Sequence, residues 1–316
     1  MRDRTLTILK RAATLSFVAV MAALIVDKAR EMDWAEVLRA FSAFEPGGIA
    51  TAFALAIPAY LACACFDLVG RRATGHGLTI PRTMLISYTG YFFSLNLGAL
   101  VGGLAFRYRL YAPYKLAAAT IGQIIALSIV TNWSGYVLIA GALLVYEPPQ
   151  LPAAWGVAPA VMRTTGAVLL LLAAAYAGWC AIAGGTTVRV KGSGFQLPTL
   201  RVVAIQVVLS IVSWGSIGLV VTWLLGDEFS WFTVMPVLMI SAIAGIWSHI
   251  PSGLGVTEVV FLALLGRLAP ESQVLAAILV FRIVYYLAPF ALAIAAYAWL
   301  EATAAPTADR RNSRTT

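Results

Sequence analysis

The chain has 316 residues and a formal net charge of +8 at neutral pH; 61% of its residues are hydrophobic and only 11% are charged. Because soluble domains carry about 25% charged residues, this composition excludes a soluble enzyme, a disordered chain and a nucleic-acid-binding protein. The 22 lysines and arginines form short clusters between apolar runs, which is the pattern of a polytopic integral membrane protein.

The composition predicts an all-α membrane protein with a single domain over residues 1–302. Its two halves are residues 1–150 and 151–302. Residues 303–316 show no periodic pattern of apolar residues, and we expect them to form a disordered cytoplasmic tail. The three cysteines lie in apolar runs without further metal ligands at a typical spacing, so we expect neither a metal nor a cofactor.

Six apolar runs reach the length of about 20 residues that a helical crossing needs. They lie near residues 9–26, 47–66, 116–145, 163–184, 201–225 and 274–300. The first follows a basic N-terminus, as in a signal peptide. No small-x-small cleavage site precedes Asp27, so we expect an uncleaved span.

An amphipathic helix is predicted between the first two spans, within residues 27–46. Its apolar side chains at helical spacing are Trp34, Val37, Leu38, Phe41 and Phe44. Such a helix fits the membrane surface. The alternative is that its apolar face packs on the helix bundle.

Two further apolar runs, 83–106 and 232–266, are interrupted by glycine or proline. The interruptions are Gly102 and Gly103 in the first run and Pro251, Gly253 and Gly255 in the second. Paired broken segments at corresponding places in two halves point to the substrate site of a transporter. Irregular backbone at membrane depth is tolerated only where protein or water satisfies its polar groups.

The distribution of basic residues distinguishes two topologies. If all eight runs cross, residues 107–115 and 185–201 face the outside, against the positive-inside rule. If the broken runs are re-entrant hairpins, 16 of the 22 lysines and arginines lie inside. We therefore predict six full spans, two re-entrant hairpins, two inverted halves and cytoplasmic N- and C-termini.

Glu258 and Arg282 are charged residues within apolar runs. If Gly255 caps a half-helix, Glu258 lies in its first turn, where an acid satisfies free amides. It could also receive a cationic head group or a proton. Arg282 is costly in a span. It could pair with Glu258, reach towards the membrane surface or hold a lipid phosphate. Tyr285 follows about one turn later. It could lie beside these charged residues or in an aromatic belt at the membrane interface.

Three other residues complete the predicted substrate site. Arg107 begins a cluster of cations and tyrosines that suits anionic head groups at the inner leaflet, although ordinary positive-inside flanking gives the same pattern. Asn96 could contact substrate, or it could form hydrogen bonds with backbone groups that the break in the helix leaves unpaired. His249 could titrate near neutral pH or be a hydrogen-bonded structural histidine. No nucleophile–base pair and no Walker A loop is found, so we predict no catalytic residues and no enzyme activity.

Residues 95–111, 250–258 and 282–289 resemble signatures of the lysylphosphatidylglycerol synthetase/flippase transmembrane family, in particular its YbhN-like branch of bacterial inner-membrane proteins. The middle stretch reads Ile-Pro-Ser-Gly-Leu-Gly-Val-Thr-Glu, with Ser252 where the family usually has glycine. Ala99 and Leu104 stand where many members have proline and an acidic residue. The chain resembles the family in length and in the order of its spans.

The resemblance implies a multi-pass protein of the bacterial inner membrane that moves a phospholipid or related lipid between leaflets. We expect no soluble aminoacyl-transferase domain, so synthesis of lysyl-lipid is not implied. The alternative is a non-transporting scaffold that holds a lipid-synthesis enzyme. A membrane-embedded transferase is a third possibility, with Glu258 and His249 as its candidate pair.

Overall fold

The computed structural model describes residues 34–149, 151–152, 155–190, 193–248 and 250–304. The first predicted span and most of the predicted tail lie outside these residues. Within them, six helices are long and apolar enough to cross a membrane. They are α2 (Pro46–Thr74), α5 (Ala118–Tyr146), α6 (Pro159–Ala183), α7 (Leu200–Leu225), α8 (Trp231–Ser248) and the continuous run Glu271–Thr303. The prediction of a helical, polytopic membrane protein is confirmed.

Helix α2 is longer than the sequence predicted. It begins with a proline in its first turn and ends at Gly75, whose φ of 64° is left-handed and whose N–H donates to the carbonyl of Arg71. Its 29 residues extend about 43 Å at 1.5 Å per residue, which exceeds a hydrocarbon core of about 30 Å. Asp67 therefore lies within the helix and not in a loop.

The first broken segment folds back on itself at Gly98. Helix α3 (Ile80–Leu97) ends there, and a π-helical stretch (Ala99–Ala105), helix α4 (Phe106–Tyr111) and a 3-10 turn (Ala112–Tyr114) follow. The rings of Phe93 and Phe106 lie 4.6 Å apart, so the returning limb runs antiparallel to α3. A φ of 89° at Gly98 permits this reversal, since glycine has no Cβ.

The second broken segment is also a hairpin. Helix α8 leads to a 3-10 turn (Pro251–Gly253) and to the short helix α9 (Val256–Leu265). The two limbs approach each other closely at Gly245 and Gly253. A Cβ built on Gly245 would lie only 3.6 Å from the Cα of Gly253. The chain then continues through α10 (Glu271–Arg282), a π-helical stretch (Ile283–Leu287) and α11 (Ala288–Ala304).

The core lies where α2 packs against α7 and α5. Small residues on α2 allow the close approach, and Ala52, Ala56 and Ala59 are fully buried there. Membrane helices commonly associate through such small side chains, since lipid provides no hydrophobic driving force between helices. Helix α6 contacts mainly α5 and leaves most of its surface exposed.

Helix α1 (Trp34–Ser42) is the predicted amphipathic helix. It packs against α10, and Phe41 and Phe44 pack on the buried core. Of the two alternatives, the structure favours packing on the bundle.

A short β-ribbon departs from the all-α prediction. Strands β1 (Thr187–Val190) and β2 (Ser193–Gln196) pair antiparallel between α6 and α7. The sequence does not predict this ribbon, because the side-chain pattern of a four-residue strand in a loop is too short to distinguish from coil.

The connections gather at two ends of the bundle. At one end Arg109 bonds to Glu301 at 2.8 Å, and Leu78, Leu110 and Leu300 share one buried cluster. At the other end Trp223 donates to the carbonyl of Gly48, and Gln273 donates to that of Leu225. We call these the Glu301 end and the Gln273 end. Residues 75–79 and 107–115 therefore lie at the same end.

Candidate functional site

A buried ion pair joins the second broken segment to the last long helix. The Nε and Nη2 atoms of Arg282 donate to the two carboxylate oxygens of Glu258, the Nη2–Oε2 distance being 2.9 Å. The two side chains are only 8% and 14% exposed. The predicted contact between these residues is confirmed, whereas their predicted role in binding substrate remains a prediction.

The backbone of the turn explains where Glu258 lies. Gly255, with φ 77°, is the N-cap of α9, and Glu258 is in the first turn. A carboxylate there is stabilised by the free amides and by the helix dipole. Arg282 is the last residue of α10, directly before a π-helical stretch, and such stretches are frequent at functional sites.

The remaining donors of Arg282 hold the turn. Nη1 donates to the carbonyl of Ser252 and Nη2 to that of Gly253, both at 3.0 Å. Ser252 and Gly253 have φ values of 59° and 56°, a left-handed conformation that aims both carbonyls at the guanidinium. All three guanidinium nitrogens are thus engaged. Four of the five guanidinium N–H groups donate within the chain, so an anionic ligand that takes two donors of Arg282 needs one of these bonds to open.

The tips of the two broken segments meet beside this ion pair. The hydroxyl of Ser252 donates to the carbonyl of Asn96 at 3.3 Å. The amide of Asn96 donates to the carbonyls of Phe92 and Tyr286, at 2.9 and 3.4 Å. Asn96 therefore satisfies backbone carbonyls, which was the structural alternative for this residue, and it links α3 to the π-helical stretch after Arg282.

Tyrosine rings surround the junction of the two tips. Tyr285 is 2% exposed, and its hydroxyl lies 3.0 Å from that of Tyr91. Its ring stacks on Tyr60, whose own hydroxyl donates to the carbonyl of Val284. The ring of Tyr286 lies 5.3 Å from the guanidinium carbon of Arg282. Tyr285 is thus an interior residue and does not belong to an aromatic belt.

A second ion pair lies towards the Glu301 end. The Nη1 atom of Arg107 is 3.3 Å from Asp67 Oδ1, and both side chains are buried. The same Nη1 donates to the hydroxyl of Ser128 at 3.0 Å, and Tyr111 donates to Asp67 Oδ2 at 2.9 Å. Arg107 is therefore not a freely exposed cation.

Glycines create the space that this arrangement needs. A Cβ on Gly102 would lie 1.9 Å from the carbonyl oxygen of Phe93, and one on Gly90 would lie 2.3 Å from Arg107 Nε. A Cβ on Gly103 would come within 2.8 Å of the Ser94 hydroxyl. The predicted structural role of Gly102 and Gly103 corresponds to this close approach of the two limbs.

The structure brings together some of the predicted site residues and separates others. Asn96, Glu258 and Arg282 lie at one junction, with Tyr285 next to it. Arg107 belongs to a separate ion pair, and His249 lies outside the described residues.

Sequence reasoning missed Asp67 because it ended the second span at residue 66. The available signal was that no proline lies between Phe66 and Gly75 and that the chain continues for four residues beyond the single glycine, Gly70. An acid followed by a further helical turn or two belongs to the span and not to its flank.

In the part of the chain that the structure describes, membrane-length helices surround two buried ion pairs and two broken segments. This arrangement defines a multi-pass membrane protein with a charged interior. Sequence comparison then identifies the family. Residues 11–293 match the model of the lysylphosphatidylglycerol synthase TM region. The chain is 38% identical over 291 residues to the inner membrane protein YbhN of Escherichia coli, covering 92% of this chain and 91% of that protein.

A second relative is an uncharacterized protein, slr0712, of Synechocystis. It is 31% identical over 261 residues, which cover 81% of this chain and 80% of that protein. The chain therefore belongs to the family of the lysylphosphatidylglycerol synthase transmembrane region.

Proposed function

We propose that this protein is a lipid translocase, which moves a phospholipid or related lipid between the leaflets of a bacterial inner membrane. The observation that carries the proposal is the junction of two broken segments, where Ser252 contacts Asn96 beside the buried pair of Glu258 and Arg282. Charged groups at the meeting point of interrupted helices are typical of transporter substrate sites. The membership of a lipid-related family and the inner-membrane relative support the same reading.

The proposal includes the topology. The two broken segments are re-entrant hairpins that enter from opposite sides, and the halves are inverted. Three observations support it. The limbs of the first hairpin start and end at the Glu301 end. The second hairpin opens at the Gln273 end, where Gln273 contacts Leu225. Most of the basic residues that the structure describes lie near the Glu301 end, which under the positive-inside rule supports our proposal that this end and both termini are cytoplasmic.

The ion pair suggests how a head group is accommodated. A lipid with a phosphate and a cationic group can exchange partners with the pair, its phosphate taking Arg282 and its cation taking Glu258. Charge remains balanced before and after this exchange. That matters because an uncompensated buried charge costs several kcal/mol, about 3–5 when one partner is removed. The head group would be sheltered between the hairpin tips while the acyl chains remain in lipid.

The alternative is a non-transporting scaffold that holds a lipid-synthesis enzyme. One observation favours it: every guanidinium nitrogen of Arg282 is already bonded within the chain, as in a purely structural ion pair. The two functions differ in whether the pair must open.

Lipid flipping by the purified full-length protein in liposomes tests the proposal. Fluorescent phospholipids with anionic, zwitterionic and lysyl head groups are bleached from the outside. A translocase bleaches beyond the outer-leaflet fraction. Glu258→Gln reduces this excess at least about tenfold if the lost interaction is worth about 1.4 kcal/mol or more in the transition state. The matched control is Glu301→Gln, which removes an exposed acid at the Glu301 end.

Two results would contradict the proposal. The first is bleaching confined to the outer leaflet for every head group, with or without a membrane potential or pH gradient. The second is full flipping in a correctly folded Glu258→Gln variant, which would remove Glu258 from the mechanism. The first result favours the scaffold.

A further inference from the structure

Ser252 has a backbone conformation that a residue with a side chain rarely adopts. Its φ is 59° and its ψ is 5°, in the left-handed region, where a Cβ crowds the following carbonyl oxygen. The next residue, Gly253, has a φ of 56°, which glycine adopts without this cost. Strained backbone of this kind persists only where neighbouring groups hold it, and it is concentrated at functional sites. The groups that hold Ser252 therefore indicate what the turn does.

Two partners hold Ser252 in this conformation. Its carbonyl accepts a hydrogen bond from Arg282 Nη1 at 3.0 Å, next to the bond from Nη2 to the carbonyl of Gly253. Its hydroxyl donates to the carbonyl of Asn96 at 3.3 Å. The first partner belongs to α10 and the second to the tip of the first hairpin. Ser252 thus connects the state of Arg282 to the contact between the two hairpin tips.

The guanidinium of Arg282 has two edges with different acceptors. Nε and Nη2 donate to the Glu258 carboxylate, whereas Nη1 and Nη2 donate to the neutral carbonyls of the turn. Separating Arg282 from Glu258 leaves two buried charges unpaired, which costs more than releasing neutral carbonyls. A phosphate group binds a guanidinium through two parallel hydrogen bonds. It therefore displaces the two carbonyls before it displaces Glu258.

We propose that Ser252 is a latch between the two hairpin tips, released when a phosphate group takes the Nη1–Nη2 edge of Arg282. Without its bond from Arg282, the carbonyl of Ser252 no longer offsets the cost of the left-handed conformation. Ser252 then returns to an ordinary backbone conformation, and its hydroxyl moves away from the carbonyl of Asn96. The tips lose this hydrogen bond and separate more often. Ser252 is a positioning residue, since it acts through the backbone and does not contact the phosphate.

The latch extends the proposed function, and its link to transport rests on that function. In the proposed topology the two hairpins enter from opposite sides of the membrane. A head group that crosses from one side to the other therefore passes the place where the tips meet. A latch that a bound phosphate releases keeps this place closed while no lipid is bound.

Spin labels on the two tips measure how often the tips separate. Leu97 and Leu254 are 40% and 56% exposed, and neither side chain takes part in the latch, so both are replaced by labelled cysteines. Cys65, the cysteine that is not buried, is replaced by alanine in every sample. Electron paramagnetic resonance of the full-length protein in dodecyl maltoside, a detergent without phosphate, then gives the ratio of separated to joined tips.

Two sources of phosphate are compared, inorganic phosphate and dihexanoylphosphatidylethanolamine, a short-chain lipid with a phosphate and an ammonium group. We expect the lipid to raise the ratio of separated to joined tips about two- to tenfold, as for the loss of one hydrogen bond. An equal rise with inorganic phosphate means that phosphate alone releases the latch. A rise with the lipid alone assigns the release to the head group. No rise with either compound overturns the proposal.

Substitutions of Ser252 separate its hydroxyl from its backbone strain. Ser252→Ala removes the hydroxyl and keeps a Cβ, so the ratio without phosphate should rise about two- to tenfold. Ser252→Gly removes the hydroxyl and the strain together, so it should raise the ratio less. A general loosening of the turn gives the opposite order, because glycine is the more flexible residue.

The matched control is Ser241→Ala in α8, where the hydroxyl donates to the carbonyl of Leu238 in the same helix. This variant should leave the ratio of separated to joined tips unchanged. An unchanged ratio in Ser252→Ala, or a higher ratio in Ser252→Gly than in Ser252→Ala, overturns the latch.

The outcomes separate the latch from the proposed function. Tips that respond to phosphate in a protein that moves no lipid leave the latch standing and reject the translocase. Lipid flipping with tips that do not respond rejects the latch and leaves the translocase standing. If both hold, joining the cysteines at positions 97 and 254 by a reducible cross-linker should stop flipping. Flipping that continues would overturn the role of the latch in transport.

Discussion

Neutralising Glu258 and Arg282 separately and together measures how strongly the buried pair holds the second hairpin. The variants are Glu258→Gln, Arg282→Gln and the double variant. Removing one partner of a buried ion pair costs about 3–5 kcal/mol, since the other charge is left buried. The guanidinium of Arg282 retains its two bonds to the Ser252 and Gly253 carbonyls after Glu258→Gln. We therefore expect the lower end, about 3 kcal/mol.

The double variant removes both charges and leaves none unpaired. It should be less destabilised than the sum of the single variants by about 2–3 kcal/mol, the usual upper range of coupling between contacting residues. The assay is reversible unfolding in mixed detergent micelles, followed by circular dichroism. The corresponding cycle on Arg109 and Glu301, whose side chains are 66% and 38% exposed, is the control and should show no resolvable coupling.

Additive single and double variants would refute this reasoning. Additivity would mean that Glu258 and Arg282 act independently and that the hairpin is held by its backbone alone. Single variants within about 1 kcal/mol of the wild type would refute the assumed cost of an unpaired buried charge.

Two further predictions concern the first hairpin and pH. Gly102→Ala should destabilise the fold by about 1–3 kcal/mol, the range for overpacking, because the added Cβ would overlap the Phe93 carbonyl. The control is Gly215→Ala, since a Cβ there has no neighbour within 4 Å. Equal melting temperatures of the two variants would contradict the close approach of the two limbs. Since the pKa of His76 is lowered from its ordinary value of 6.5 by burial and by Arg71, against an opposing effect of Asp67, the unfolded chain binds more protons below about pH 6.5. The free energy of unfolding should therefore decrease as the pH falls from about 6.5 towards the lower pKa of His76 in the folded protein. His76→Gln should reduce this decrease, and a variant with the same pH profile of unfolding as the wild type would contradict the prediction.

Much of the fold could be predicted from the sequence because membrane insertion is governed by local composition. The long spans follow from apolar runs, and glycine and proline predict that segments 83–106 and 232–266 are interrupted, although the first reverses at Gly98 and not at Gly102. The Glu258–Arg282 contact was also predictable. Glu258 was the one acid predicted to lie in the membrane, and a buried guanidinium needs a counter-charge.

The pairing of distant residues could not be predicted in this way. Asp67 and Arg107 are 40 positions apart, and Asn96 and Ser252 are 156 apart. Neither pair shares a helical period or a motif. Likewise, the ribbon of β1 and β2 is defined by hydrogen bonds between short strands, for which side-chain pattern gives little signal.

The sequence by itself determined that this chain lies in a membrane, which apolar runs form long helices, which two runs are interrupted and to which family the chain belongs. Hydrophobicity and backbone-breaking residues act locally, so they can be read without the fold. Only the tertiary structure decided that the two broken segments meet, that all three guanidinium nitrogens of Arg282 donate within the chain and that Asp67 retains an unpartnered oxygen. Those properties depend on which helices become neighbours, and that is set by the packing of the whole bundle.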